Sequence, residues 1–133
     1  MKKKKLPVGA IGIDIVEIKR LEKTSKKWGK PFLKKVYTPR ELSYAFGKRF
    51  PYQHLAARFA AKEAIFKALG EVETDFVGWK NVEILNDAHG KPAVHWHGEA
   101  EKTRKKRRIL GAVVSLSHSD HYAVASAMLL FKP

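Results

Sequence analysis

The chain has 133 residues and a formal net charge of +14, from 27 Lys and Arg against 13 Asp and Glu. This length suits one domain that buries roughly two-thirds of its unfolded surface. No cysteine is present, which excludes disulfides, cysteine-containing zinc sites and thiol catalysis. The positive charge favours anionic partners, but it does not distinguish nucleic acid, phosphorylated cofactors, acidic proteins and anionic membranes.

The N-terminus has four lysines at 2–5 and then a short apolar run, as a signal peptide does. The run soon meets Asp14, and no small-residue cleavage site follows it, so we expect a cytoplasmic protein that is not exported. No stretch of 18 apolar residues exists, so we expect no membrane span. We interpret residues 1–7 as a basic extension and residues 8–133 as a single domain.

The hydrophobic pattern predicts a first strand at 8–18, because apolar residues recur there with the period of two that strands show. Asp14 shares a strand face with Gly12 and Val16, and a carboxylate in so apolar a strand is costly to bury without a cation or hydrogen-bond donors. Helical periodicity and capping residues predict helices at 18–28, 31–37, from Thr38 to about Gly47, 53–69 and 98–108. Apolar runs bounded by turn residues predict strands at 82–85, 93–97, 112–117 and 122–130. Helices inserted among largely antiparallel strands indicate an α+β domain, with a loop at 71–79 after its best helix.

The helix at 53–69 carries the residues that most suggest chemistry. Arg58 and Lys62 are four residues apart and share a helix face, where they can clamp phosphate oxygens. Glu63 projects from the apolar side of this helix, as Asp14 does from its strand. Two carboxylates in apolar settings repel each other if they lie close together, and a divalent cation between them would offset this repulsion. Oxygen ligands, few protein carboxylates and nearby phosphates are typical of a magnesium site.

Each of these features has an ordinary explanation when taken alone. An Arg and Lys pair at helical spacing is usually a solvated face, and a single Asp on a strand is often a hydrogen-bonded edge residue. Their combination is what favours a functional site. The histidines favour zinc much less, because His95 and His97 share a strand face without a third ligand or a cysteine.

Four sequence blocks resemble the motifs of the holo-acyl-carrier-protein synthases, the small single-repeat phosphopantetheinyl transferases. The blocks stand in the family's order and cover nearly the whole chain, at 12–18, 57–70, 86–92 and 115–125. One such motif alone would be weak, whereas four in order are highly specific. The resemblance implies a 4′-phosphopantetheinyl transferase fold at 8–133, with a single repeat, a largely antiparallel sheet and one long central helix.

The resemblance also implies a reaction. In this family, the 4′-phosphopantetheine moiety of coenzyme A is transferred to a serine of apo-acyl carrier protein for fatty acid biosynthesis, and 3′,5′-ADP is released. Such phosphoryl transfer requires in-line positioning and neutralised oxygens rather than a side-chain nucleophile. Family members are homotrimers with active sites between neighbouring subunits, so we expect a homotrimer here.

Roles carry over to the matching positions of this chain. The resemblance implies that Asp14 and Glu63 bind Mg²⁺ with the coenzyme A pyrophosphate, and that Arg20 grips the acidic carrier protein. Coenzyme A is expected to contact a further set of residues, with Lys62 and His118 also acting in catalysis: Arg58, Lys62, Gly90, Lys91, Pro92, Ser117 and His118. The base that accepts the serine proton stays open between a water near Asp14 or Glu63 and His118.

Three features depart from the family pattern. The lysines at 2–5 precede the point where the family usually begins. Ser119 stands where some relatives place an acid, with Asp120 one position later, which puts the role of that acid in doubt. The segment 102–108 has six basic residues in seven, more than we expect of the family.

Two other functions would explain part of the sequence, but both fit it less well than a transferase. A small basic nucleic-acid-binding protein would explain the charge, but no aromatic residues are interleaved with 102–108 and no recognised binding signature is present. We therefore expect no specific nucleic-acid partner. A non-catalytic interaction module is disfavoured because Asp14 and Glu63 are each costly without a metal.

Overall fold

The structure is a computed structural model that describes residues 9–70 and 78–133. The basic extension predicted at 1–7 lies outside the described residues, as does most of the loop predicted at 71–79.

The described residues form four α-helices, one 3₁₀ turn and five strands. Strand β1 (Gly9–Glu17) leads into three helices, α1 (Ile18–Val36), α2 (Pro39–Phe46) and α3 (Pro51–Leu69). A 3₁₀ turn at Trp79–Asn81 precedes the hairpin formed by β2 (Val82–Asn86) and β3 (Pro92–Trp96). Helix α4 (Gly98–Lys106) is followed by β4 (Ile109–His118) and β5 (Tyr122–Phe131). The prediction of an α+β domain with largely antiparallel strands is confirmed.

Helix α1 spans both of the helices predicted between 18 and 37. Its two parts meet at Gly29, whose φ of 65° is left-handed, and Pro31 follows two residues later. Helix α2 begins as predicted, because Thr38 and Glu41 form a capping box in which each side chain accepts a hydrogen bond from the other residue's backbone N–H. None of the helices in the described part of the chain is long and apolar enough to cross a membrane.

The main sheet has the order β1-β5-β4, and all its neighbouring strands are antiparallel. Helix α3 packs on one face of this sheet through small side chains, and Ala60, Ala61 and Ala64 are fully buried there. Gly12 of β1 is part of the same contact: a Cβ atom at this position would lie 1.9 Å from the carbonyl oxygen of Ala64. The missing side chain lets β1 approach the helix closely, which brings Asp14 next to α3.

The opposite face of the main sheet carries exposed apolar side chains. The three isoleucines of β1 that alternate with Gly12 and Asp14 are 63–72% exposed. We call this surface the outer sheet face, and its exposed members are Ile11, Ile13, Ile15, Val113 and Met128. An exposed apolar surface of this kind is typical of a protein–protein interface.

Candidate active site

A cavity of about 390 Å³ lies between β1, α1 and α3, and we call it the carboxylate cleft. Asp14 reaches it from β1 and Glu63 reaches it from α3, as the sequence predicted for two carboxylates in an apolar setting. Apolar side chains, including Phe59, form the rest of the wall near Glu63. Arg20 and Thr24 of α1 line the cavity from the other side.

A lysine contacts one of the two carboxylates beside this cleft. The ammonium of Lys67 donates to Oδ1 of Asp14 at 2.9 Å and to the carbonyl oxygen of Ile13 at 3.1 Å. Burial raises the pKa of the Glu63 carboxyl, and the negative charge of Asp14 raises it further, while Lys67 partly offsets both effects. The single positive charge of Lys67 does not balance two ionised carboxylates, so the three groups together keep a net negative charge.

This donor set fits a magnesium ion. Among the described residues, no group of three or more His, Cys, Asp and Glu side chains is placed to hold a metal. Asp14 and Glu63, which line one cavity, would be its protein ligands, and water and phosphate oxygens would complete the shell, as Mg²⁺ commonly prefers. Burial, and after it the charge of Asp14, raises the pKa of Glu63, and a cation between the two carboxylates would oppose both effects.

Arg20 lies on the rim of the carboxylate cleft, where its side chain is exposed. Its position follows from the tight join between β1 and α1, since the backbone N–H of Ile18 donates to the carbonyl oxygen of His121 at 2.9 Å. The first turn of α1 is thereby fixed beside the strand that carries Asp14. Arg20 is placed to meet an acidic group that approaches the two carboxylates.

A second cavity, of about 190 Å³, lies between α3, the β2–β3 turn and the end of β4, and we call it the hairpin cleft. Most of the residues that were predicted to contact coenzyme A line it. Its lining includes Tyr44, Arg58, Gly90, Pro92, Ser117 and His118.

Arg58 is held rigidly at the wall of the hairpin cleft. Its Nε donates to the carbonyl oxygen of Ile84 at 3.1 Å, and its Nη2 donates to Oδ1 of Asn86 at 3.2 Å. The guanidinium also lies over the ring of Tyr44, 4.2 Å from the ring centroid. Burial lowers the pKa of His54 in the same cleft, and the charge of Arg58 lowers it further, so we expect His54 to be neutral at pH 7.

Lys62 does not take the position that was predicted for it. Its side chain is fully buried and forms an ion pair with Glu41, with 2.9 Å between Nζ and Oε1. The ammonium also donates to the carbonyl oxygens of Trp79, at 2.9 Å, and Val82, at 2.7 Å. The prediction that Lys62 and Arg58 form a phosphate clamp is wrong in this structure, because all three N–H groups of Lys62 point into the core.

Lys91 also lies elsewhere than predicted. It lines a groove on the outer sheet face with Ile11, Val113 and Met128, rather than the hairpin cleft that Gly90 and Pro92 line. Contact between Lys91 and a nucleotide in the hairpin cleft of its own chain is therefore not supported.

The two clefts lie on opposite flanks of α3. Arg58 and Glu63 are five residues apart, which places them about 140° apart around the axis of a helix with 3.6 residues per turn. His118 opens into the hairpin cleft, away from the pair formed by Asp14 and Glu63. Within one chain, His118 is therefore not placed to act on a group held by those carboxylates.

Sequence reasoning assigned no role to Lys67, although a signal was present. Lys67 follows Glu63 by four residues, and this spacing on a helix places both side chains on the same flank. Lys48 was also missed, and its ammonium lies over the ring of Tyr44, 4.8 Å from the centroid, beside the hairpin cleft. Nε2 of His97, which the sequence places on the same strand face as His95, contacts Oε1 of Glu83 at 2.9 Å.

Comparisons with known proteins identify the family of this chain. The family model described as the 4′-phosphopantetheinyl transferase superfamily matches residues 10–127. The chain therefore belongs to the 4′-phosphopantetheinyl transferase superfamily. Within the superfamily, the resemblance to the holo-acyl-carrier-protein synthases is confirmed, because relatives of that name match most of the chain.

Three similar proteins illustrate the match. The holo-[acyl-carrier-protein] synthase of Protochlamydia amoebophila is 44% identical over 118 residues, which cover 89% of this chain and 94% of the relative. The crystal structure of the synthase from Neisseria meningitidis is 34% identical, with a TM-score of 0.83 and coverage of 90% of this chain and 96% of that one. The coenzyme A complex of the synthase from Chronobacterium ammoniagenes is 29% identical, with a TM-score of 0.83 and coverage of 96% and 100%.

Proposed function

We propose that this chain transfers the 4′-phosphopantetheine moiety of coenzyme A to a serine of an apo-acyl carrier protein. The observation that carries this proposal is the carboxylate cleft, which Asp14 and Glu63 line and beside which Lys67 contacts Asp14, in a chain of this superfamily. The names of the relatives and the coenzyme A complexes among the structural neighbours support the same activity. Phosphoryl transfer depends on placing charged groups around the phosphate, and this cleft supplies both carboxylates and cations.

In the proposed reaction, the serine oxygen of the carrier forms a bond to the β-phosphorus of coenzyme A. The bond from that phosphorus to the oxygen bridging the two phosphates breaks, and 3′,5′-ADP leaves with the electron pair. The serine proton passes to a water held near Asp14 or Glu63, or to His118 of a neighbouring chain, since His118 of the same chain opens into the other cleft.

The residues of the two clefts have different roles in this reaction. Asp14 and Glu63 hold Mg²⁺, which when bound neutralises phosphate oxygens and draws charge from the leaving group. Lys67 adds a positive charge at the same place, and it keeps Asp14 oriented toward the cleft. Arg58 lines the hairpin cleft with Gly90, and this cleft receives the nucleotide part of coenzyme A.

We further propose that the active enzyme is a homotrimer. The carboxylate and hairpin clefts lie on opposite flanks of α3, so one coenzyme A would use clefts from two neighbouring chains. The outer sheet face offers an apolar surface that such an assembly would bury. Sedimentation that shows a fully active monomer at assay concentrations would contradict this assembly.

The proposed substrates define the setting of the reaction. An acyl carrier protein activated in this way serves fatty acid biosynthesis, and both it and coenzyme A are cytoplasmic, so we assign the activity to the cytoplasm. The net charge of +14 suits an acidic carrier protein, because it accelerates the encounter of oppositely charged partners. The same charge also attracts nucleic acid, but we expect that binding to be weak and sensitive to salt.

The test is to mix the protein with coenzyme A, Mg²⁺ and an apo-acyl carrier protein of fatty acid synthesis. We expect the carrier to gain the mass of phosphopantetheine as 3′,5′-ADP accumulates. A carrier whose acceptor serine is replaced by alanine is the control and should gain nothing. If the intact carrier keeps its mass while a specific nanomolar complex with nucleic acid forms, the proposed function is wrong.

A further inference from the structure

One edge of β2 is bound by charged side chains instead of a neighbouring strand. Within the described residues, β2 pairs with β3 alone, and Asn81, just before β2, accepts a hydrogen bond from the backbone N–H of His97 at 2.8 Å. Alternate residues of a strand direct their backbone groups to the same side, so Val82 and Ile84 face away from β3. A buried backbone group on that edge must find a partner or weaken the fold.

Three side chains supply these partners. The ammonium of Lys62 donates to the carbonyl oxygen of Val82 at 2.7 Å, and Oε2 of Glu41 accepts from the N–H of Ile84 at 2.9 Å. Nε of Arg58 donates to the carbonyl oxygen of Ile84 at 3.1 Å. Two positions of α3 and one of α2 therefore take the place that a further strand would occupy.

Lys62 and Glu41 form the centre of this arrangement. The three N–H groups of Lys62 match three acceptors, which are the Glu41 carboxylate and the carbonyl oxygens of Trp79 and Val82. The second carboxylate oxygen of Glu41 binds β2, while the first also accepts from the backbone N–H of Thr38 at 2.8 Å. The pair joins α2, α3, the 3₁₀ turn and β2 at one buried point.

The hairpin cleft depends on the position of β2. This strand ends at Asn86, which accepts from Arg58 at 3.2 Å and donates to the hydroxyl of Tyr44 at 2.8 Å. The turn that follows carries Gly90 and Pro92 into the cleft. A displacement of β2 would therefore move the turn and the partner of Arg58 together.

We propose that Lys62, paired with Glu41, is a positioning residue that fixes β2 and thereby shapes the hairpin cleft for the nucleotide part of coenzyme A. The assignment of that ligand rests on the proposed function. The role differs from a phosphate contact, because the ammonium of Lys62 is fully buried and its donors are already used. Lys62 acts on the ligand through backbone groups of β2.

The test must separate positioning from a general loss of stability. Lys62→Met alone leaves the Glu41 carboxylate buried without its cation, which is strongly destabilising, whereas replacing both members of a buried pair by neutral groups is often tolerated. The informative protein is therefore the double variant Lys62→Met/Glu41→Gln. Its glutamine can still accept from one backbone N–H, but β2 loses the donor to Val82. Lys35→Met, at an exposed position of α1 that lines neither cleft, controls for the loss of one lysine charge.

We expect the folded double variant to show a KM for coenzyme A raised about tenfold, because the cleft is no longer held in its binding shape. The KM for the carrier protein should stay within about twofold of the original value, because carrier docking uses the other cleft. Amide hydrogen exchange at Ile84 should accelerate, and coenzyme A should bind about tenfold more weakly in calorimetry without any carrier. Lys35→Met should match the parent protein in all of these measurements.

Other outcomes would overturn the inference. A folded double variant with the parent's affinity for coenzyme A would reduce Lys62 to a purely structural residue. A fall in kcat alone, with KM for coenzyme A unchanged, would indicate contact with the reacting phosphate instead. If the double variant does not fold, amide hydrogen exchange on the parent protein replaces it: coenzyme A should slow exchange at Ile84, and exchange that coenzyme A leaves unchanged would count against the proposal. Failure of the parent protein to modify any carrier would refute the proposed function, while the hydrogen-exchange result would still test the positioning of β2.

Discussion

The ammonium of Lys67 lies 2.9 Å from Oδ1 of Asp14, so an ion pair joins α3 to β1 beside the carboxylate cleft. The side chain of Lys67 is 46% exposed, whereas that of Asp14 is 15% exposed. The lysine is thus accessible to an anion that enters the cleft, while the carboxylate is anchored in its wall. Glu63 lies one turn before Lys67 on the same flank, which places a positive charge among two negative ones.

Lys67→Met should slow transfer by about 100-fold, because removing one well-placed electrostatic group typically has an effect of that size. Asp14→Asn should have a similar effect, since it weakens the ion pair and removes an oxygen ligand for Mg²⁺. Single-turnover transfer to an apo-carrier protein measures both rates. Lys35→Met serves again as the matched lysine control, and near-normal turnover of Lys67→Met would show that the cleft does not need this cation.

Glu63→Gln should make the protein more stable and nearly inactive. Burial and the charge of Asp14 raise the pKa of Glu63, so the folded state disfavours its ionised form. A carboxyl with a raised folded-state pKa lowers stability as the pH rises from the unfolded value toward the folded one, and this loss persists at neutral pH. Glutamine removes the loss, and we expect a melting temperature about 2 °C higher at pH 7, a modest gain because the group is partly solvated.

The same variant should lose its response to magnesium. Mg²⁺ that binds the folded state alone raises the melting temperature of the parent protein, and Glu63→Gln should show little of this shift. Transfer should also fall about 100-fold. An equal magnesium shift in both proteins, measured by calorimetry across pH 4 to 8, would place the metal elsewhere.

The strand face that carries Asp14 was predictable from local patterns, whereas its meeting with Glu63 was implied by the family resemblance. The period of two places Asp14 on the same strand face as Gly12, and helical spacing separates Glu63 from Arg58. The burial of Lys62 was not predictable in this way. Helical spacing gives the direction of its side chain, but it does not say which element packs against that side of the helix. That partner is Glu41 of α2, and only the tertiary fold brings it to α3. Capping chemistry already accounted for Glu41, so nothing in the sequence marked it as the partner of a buried lysine.

Gly12→Ala should damage both stability and activity. The added Cβ would lie 1.9 Å from the carbonyl oxygen of Ala64 and 3.0 Å from the backbone nitrogen of Ala68, so β1 must move away from α3. Overpacking of this kind typically reduces the free energy of unfolding by about 1–3 kcal/mol. Transfer should fall about tenfold in the folded fraction, since Asp14 follows two residues later and moves with the strand.

Denaturant unfolding and transfer assays at a temperature where the variant is folded measure these two effects. Gly111→Ala is the matched control, because a Cβ at that position of β4 would meet nothing within 4 Å. If Gly12→Ala unfolds at the same denaturant concentration as Gly111→Ala, the close contact between β1 and α3 does not matter for stability.

Arg20→Glu should weaken the use of the carrier protein without changing the use of coenzyme A. Arg20 is exposed on the rim of the carboxylate cleft, and the serine of the carrier must reach Asp14 and Glu63 past this rim. Acidic carrier proteins present carboxylates to which a guanidinium can form bidentate hydrogen bonds. Such bonds fix the orientation of the partner as well as attracting it. Reversal of this charge replaces attraction with repulsion at the point of approach.

We therefore expect Arg20→Glu to raise the KM for carrier protein more than about tenfold, whereas the affinity for coenzyme A stays close to that of the parent. The parent's rate should also fall steeply as salt is added, because exposed charges are screened beyond a Debye length of about 8 Å at physiological ionic strength. Lys35→Glu reverses an exposed charge near the other end of α1 and is the matched control for the change in net charge. Because that control changes the long-range field by the same amount, a selective effect of Arg20→Glu isolates the contact at the rim. Equal carrier kinetics for the two variants at low salt would mean that the carrier docks elsewhere, and the basic segment 102–108 would be the next surface to reverse.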